Sequence, residues 1–219
     1  MGSARRHLVW DWNGTLLNDL SLVVASTNVV FASVGGPVVT AEEHRLGFRR
    51  PISEYYADVL GRAVDTDAFG SLDKIFHDAY RTGLTTCALA DDATTAMRSW
   101  TGTQSLLSMW FHEELVPAVE TYGLTAMFDR IDGLRGTVGG DHKADHLARH
   151  LDELGIDGSS VVLIGDSIDD ADAADSVGAR SVLYTGGFTD PARLRASGRP
   201  VADTLTEAVH LAAKVGEDG

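Results

Sequence analysis

A chain of 219 residues, 44% hydrophobic and 23% charged, can bury roughly 70% of its unfolded surface in one sizeable core without staples. Its net charge of −14, from 32 acidic against 18 basic residues, repels nucleic acid and anionic lipid. The single cysteine, Cys87, excludes an intrachain disulfide and points to a reducing compartment. The same field would slow an anionic substrate, so any phosphate site must carry its own cation. The chain has only three lysines for that task, Lys74, Lys143 and Lys214.

Residues Met1 to His7 hold two arginines and no apolar run. The apolar stretch from Leu8 is too short for a signal peptide or a membrane span, so a cytoplasmic protein is expected. His7-Leu8-Val9-Trp10 reads as a buried strand that delivers Asp11 at its carboxyl end, before the turn-like Asn13-Gly14. From 17 to 92 no buried strand is evident. Helical stretches fall near Leu20–Val34, Ala41–Leu46, Ile52–Leu60 and Asp67–Gly83 instead, broken by Gly35-Gly36-Pro37 and Pro51. Apolar runs resume at 105–108, 161–164 and 181–184, with a weaker one at 128–131. Helical patterns alternate with them at 112–122, 143–154 and 169–177. Strands alternating with amphipathic helices indicate an α/β fold with a parallel, doubly wound sheet. The expected division is an α/β core from 1–16 and 93–219, with 17–92 inserted as a helical cap. The last four residues, 216–219, are expected to fray.

Four polar positions fall at strand ends or helix starts, where such sheets bind ligands. Asp11 ends the first strand and Ser108 the second. Lys143 opens a helix after a glycine-rich loop, and Gly165-Asp166-Ser167-Ile168-Asp169-Asp170 follows a later strand. A tetrahedral oxyanion needs a hydroxyl, a cation and free N–H groups. A hard divalent cation needs carboxylate oxygens, which Asp11 and Asp166 supply. Asp170 divides between metal ligation and a stabilising charge at a helix start.

The run Asp11-Trp12-Asn13-Gly14-Thr15-Leu16 resembles the first motif of the haloacid dehalogenase superfamily, D-x-D-G-T-L. Ser108, Lys143 and Asp166-to-Asp170 resemble its second, third and fourth motifs. The order and spacing, with a helical cap between the first two motifs, are those of its phosphoglycolate phosphatase-like subgroup. The resemblance implies a Rossmann-like core with strand order 3-2-1-4-5 and a hydrolase of small phosphorylated molecules. Asp11 would form an aspartyl-phosphate, and Ser108 and Lys143 would hold the phosphate alongside Gly14, Thr15 and Met109. Mg²⁺ would be bound by Asp11, the Asn13 carbonyl and Asp166, with Asp170 assisting. The expected molecule is a monomer or homodimer without nucleic-acid or membrane partners.

One position departs from the pattern. Family phosphatases carry an aspartate at position 13 as general acid and base, and an amide cannot exchange that proton. General acid–base catalysis contributes typically ~10²–10⁴-fold, so the loss is substantial. A slow phosphatase, a substrate with a good leaving group, or a proton from His44 or His77 would each accommodate Asn13. A phosphonate hydrolase using Lys74 as a Schiff base, or a phosphate-binding module with weak turnover, are the alternatives. A dehalogenase needs no metal and so leaves Asp166 and Asp170 unexplained.

Other residues have blander readings. His142, His146 and His150 form an i, i+4, i+8 stripe read as a solvated face rather than a metal site. Trp110 divides evenly between substrate contact and packing. Arg49-Arg50-Pro51 is a candidate substrate-facing turn among five cap arginines.

Overall fold

The computed structural model describes residues 6–136 and 138–215. The expectations for the first five residues and for the frayed 216–219 tail lie outside them. Strand β1 (His7–Trp10) is buried along its whole length. It pairs in parallel with β4 (Thr103–Phe111) on one side and β6 (Val161–Gly165) on the other. With β5 (Ile131–Leu134), β7 (Arg180–Tyr184) and β8 (Val201–Ala202) the sheet order is β5-β4-β1-β6-β7-β8. The expected 3-2-1-4-5 order is present, with a short sixth strand, unforeseen in the sequence, added at the edge. The two chain directions diverge on either side of β1, which opens a crevice at the strands' carboxyl ends.

Period-two alternation places side chains on both faces. Leu8 and Trp10 join Leu106, Ile164 and Val182 in one apolar cluster, which α5 (Ala93–Ser99) and α10 (Leu205–Lys214) help cover. Val9 and Leu163 join Leu147, Leu151, Ala173 and Ala174 on the opposite face, under α7 (Ala144–Leu154) and α8 (Ile168–Ser176). The short α9 (Pro191–Ala196) adds Leu194 to a smaller cluster with Ala171 and Leu183. Burial on both faces explains why these strands read as continuous apolar runs.

Between β1 and β4 lie α1 (Leu20–Ser33), α2 (Ala41–Gly47), α3 (Ile52–Leu60) and α4 (Thr66–Gly83). The Thr40–Glu43 capping box fixes the start of α2, and the Asp65 carboxylate caps α4. These helices share an apolar cluster of their own that includes Val30, Phe31, Tyr55, Tyr56 and Phe69. A two-stranded antiparallel ladder, β2 (Leu17–Asn18) with β3 (Ala88–Leu89), clasps the two ends of the segment. Among the described residues no helix is long and apolar enough to cross a membrane.

Several sequence expectations need correction. Ser108 does not end its strand, because β4 runs on to Phe111 and meets α6 (His112–Thr121) directly. A register shift between Leu107 and Phe111 relative to β5 bends this stretch, as bulges beside functional sites do. The weak strand candidate at 128–131 lies three residues further on, since a 3₁₀ turn at Thr125–Met127 delays it. His150 is not on a solvated face. It is 1% exposed, and its Nδ1 meets Asp132 Oδ2 at 2.8 Å while Nε2 meets Ser105 Oγ at 2.7 Å. Ser105 Oγ also meets His7 Nε2 at 2.7 Å. A buried polar chain therefore crosses the back of the sheet, where the helical wheel alone suggested solvent.

Candidate active site

The site is assembled from the ends of four parallel strands. Asp11 follows β1, and its N–H donates to Ile164 O at 2.9 Å, fixing the backbone where the carboxylate emerges. Lys143 is the N-cap residue of α7, and its N–H donates to Asp169 Oδ2 at 3.0 Å. Its ammonium donates to Asp11 Oδ1 at 2.5 Å and to Asp170 Oδ1. Asp170 also closes the capping box of α8, accepting from the Ser167 N–H and hydroxyl. One carboxylate therefore serves as helix cap and as lysine clamp. Asp166 accepts the Phe188 N–H at 2.5 Å and the Thr15 hydroxyl at 3.2 Å.

Asp11, Asp166 and Asp170 are all buried and offer oxygens within 4.8 Å of one another. Burial raises the Asp11 carboxyl to about 6, against the pull of Lys143. Burial, then the charges of Asp11 and Asp170, raise Asp166 well above the carboxylate range. Burial would lower the Lys143 ammonium, yet Asp11 and Asp170 hold it above its ordinary value. Three buried carboxylates against one buried ammonium leave an excess of negative charge that a bound cation would relieve. The donor set fits Mg²⁺: hard carboxylate oxygens converge, and glycines close around them. A Cβ at Gly14 or Gly187 would come within 2.7 or 2.1 Å of Asp166 Oδ2.

The amide at position 13 is fully engaged. Asn13 Nδ2 donates to Asp19 Oδ2 at 2.9 Å and to Tyr80 Oη at 2.8 Å, while Asn13 Oδ1 accepts the Ser108 hydroxyl at 3.1 Å. Tyr80 Oη donates in turn to Asp19 Oδ2 at 2.7 Å. Asp19 is 1% exposed, and burial raises its carboxyl to about 6 against the bonds from Asn13, Tyr80 and Gly14. Neither Asp19 nor Tyr80 stands out in the sequence as a site residue. An acid six residues beyond an unexpected amide was the available signal for Asp19, whereas Tyr80 is 67 residues from Asn13 and invisible without the fold.

Asp11, Asn13, Ser108, Met109, Lys143, Asp166 and Asp170 line one cavity of about 120 Å³ beneath the helical segment. Gly14 and Thr15 do not line it. The Gly14 N–H is taken by Leu17 O and Asp19 Oδ1, and the Thr15 hydroxyl faces Asp11 and Asp166 from behind. Helix α4 presents Asp73, Phe76, His77 and Tyr80 to the cavity, an i, i+3, i+4, i+7 stripe. Lys74 points elsewhere, exposed and paired with Asp78 at 2.6 Å, so the Schiff-base alternative loses its only cap lysine. His44 and His77 both line the cavity, and His44 Nε2 and His77 Nδ1 are buried without a partner. Burial, aided by Arg45, lowers the His44 imidazole to about 4. Arg50 reaches the cavity, whereas Arg49 turns outward to Asp58 and Glu54. Trp110 is 4% exposed and forms part of the cavity wall.

Residues 138–208 match the family model described as HAD-hydrolase-like. Over 214 residues the chain is 23% identical to a phosphoglycolate phosphatase from Aliivibrio fischeri, covering 92% of this chain and 90% of that one. Among solved structures, a predicted phosphatase from Clostridium acetobutylicum superposes with a TM-score of 0.85 at 16% identity, covering 97% of this chain and all (100%) of the other. A predicted phosphoglycolate phosphatase from Haemophilus somnus gives 0.73 at 17% identity, with 97% and 100% covered. The match over residues 138–208, the 23% identity along most of the chain and the shared fold make this chain similar to haloacid dehalogenase-like phosphatases, phosphoglycolate phosphatases among them.

Proposed function

We propose that the protein is a Mg²⁺-dependent phosphatase of a small phosphorylated molecule, with Asp11 as nucleophile. The observation that carries this is the Lys143 ammonium clamped between Asp11 and Asp170, with Asp166 alongside, in the cavity they line together. Asp11, Asp166 and the Asn13 carbonyl would hold the metal, with Asp170 behind them. When bound, Mg²⁺ neutralises charge so that a carboxylate can approach a phosphoryl group.

The chain's own residues do the rest. Lys143 keeps Asp11 in its ionised, nucleophilic form and offers positive charge to the phosphoryl oxygens. An Asp11 oxygen attacks phosphorus, the ester P–O bond breaks, and the leaving group departs as its oxyanion, which takes a proton from solvent. Water then attacks the phosphorus of the aspartyl-phosphate, breaking its bond to Asp11 and releasing phosphate. Asn13 supplies no proton to either step. Its amide instead orients the Ser108 hydroxyl, so leaving groups that depart without acid assistance suit this site.

Release of phosphate from an aryl phosphate should require Mg²⁺ and fall at least ~10³-fold in Asp11→Asn. Turnover equal in Asp11→Asn and the unaltered chain would sink the assignment. Mg²⁺ should also raise Tm, and Asp166→Asn should abolish that shift while the fold persists.

A further inference from the structure

The helical half of the cavity is chemically unlike its floor. Ile52, Tyr55 and Phe76 furnish apolar and aromatic surface there, and Met109 and Trp110 of β4 with Phe188 after β7 extend it on the core side. Five carboxylates line the cavity, Asp11, Asp73, Asp166, Asp169 and Asp170, against two permanent cations, Arg50 and Lys143. Lys143 is committed to Asp11 and Asp170. Arg50 lies 3.7 Å from Asp169 and donates to Asp141 O at 3.1 Å. Asp73 stands on the α4 face of the cavity at 7% exposure, so a second anion on the substrate would be desolvated near a like charge. Asp73 is not free to receive a cation either. One oxygen accepts the Gly139 N–H at 3.2 Å and the other lies 3.5 Å from His77 Nε2.

We propose that the cap half of this cavity takes an uncharged apolar group, of the aryl or branched-alkyl class, and rejects phosphate esters that carry a second anion. The proposal rests on the phosphatase reading above and departs from the small carboxylated ester in the names of the chain's relatives. Apolar burial provides the affinity.

Non-hydrolysable phosphonates separate pocket chemistry from turnover. With Mg²⁺ present, calorimetry on the intact chain should give benzylphosphonate a Kd at least ~10-fold below that of phosphonoacetate. Hydrolysis should rank phenyl phosphate above phosphoglycolate in kcat/KM. Ile52→Arg, which adds a cation to the wall, and Asp73→Asn, which removes the like charge, should each shift the binding ratio several-fold toward phosphonoacetate. The Asp73 variant is isosteric and stands in if the arginine is not tolerated. Equal or tighter binding of phosphonoacetate would overturn the proposal, as would 2-aminoethylphosphonate binding tightest, or no binding by any of the three. Selective benzylphosphonate binding without turnover above Asp11→Asn would support the pocket assignment and overturn the phosphatase.

Discussion

Asn13 shows how a single side chain can redirect a site. Its two N–H groups satisfy Asp19 and Tyr80, and its oxygen accepts from Ser108. Restoring the usual aspartate alone should therefore fail. Asn13→Asp sets a carboxylate against the buried Asp19 and removes both donors, at a cost of about 2–4 kcal/mol in urea unfolding and with no gain in rate. Asn13→Asp with Asp19→Asn exchanges acid and amide. The amide introduced at position 19 could still accept the Gly14 N–H and would donate to the new carboxylate. The double variant should regain most of the lost stability and exceed the starting turnover at least ~10-fold. A double variant no more stable than the single one would show that the two positions are not coupled.

At the scale of elements, loops after the strands set the site by close approach. The segment after β7 brings Gly187 against Asp166, while the Phe188 N–H holds the same carboxylate. Gly187→Ala would place a Cβ 2.1 Å from Asp166 Oδ2, and backbone on one side and a buried side chain on the other leave little room to yield. The variant should lose the Mg²⁺-induced rise in Tm, with Mg²⁺ affinity down at least ~10-fold by calorimetry. Unchanged affinity would mean that the loop can move away without disturbing Asp166. The helices behave similarly. The pitch of α4 puts residues 73, 76, 77 and 80 on one stripe and Lys74 off it, and the docking of that stripe over the core brings Tyr80 to Asn13 while Lys74 stays in solvent.

Across the whole molecule, acid should act through two buried imidazoles. Burial, then the nearby His150, lowers His7 to about 4, and burial with Arg45 does the same to His44. Unfolding frees both to ordinary values near ~6.5, so the unfolded chain binds more protons between those limits. Their contribution is complete above pH ~6.5 and is lost as pH falls toward about 4, on the order of 1–3 kcal/mol each. His7→Gln and His44→Gln should each lose less stability than the parent between pH 7 and 4.5 in urea titrations. Parallel curves for variant and parent would refute this account. The two sites lie far apart, one behind the sheet and one beneath the helices, so their effects should add.

Much of this was legible in the sequence because it is local. Apolar runs such as Leu8-Val9-Trp10 specify buried strands, and the spacing from 17 to 92 specified helices without a core strand. Residue types at strand ends singled out Asp11, Lys143 and Asp166, which the fold brings to one cavity. Edge strand β8 escaped notice because two residues carry no period. Ser108 was recognised but placed at a strand end, since a bulge leaves no mark in one strand's sequence. His150 was misplaced because a helical wheel ranks faces by apolarity and cannot see a Ser105–Asp132 partner across the sheet. The sequence by itself determined the groups available around Asp11: carboxylates at 166 and 170, a cation at 143 and an amide in place of an acid at position 13. Only the tertiary structure decided what surrounds that amide and how apolar the leaving-group wall is. Tyr80 and Asp73 meet the core through contacts between distant segments, and such contacts depend on helix docking rather than on any local pattern.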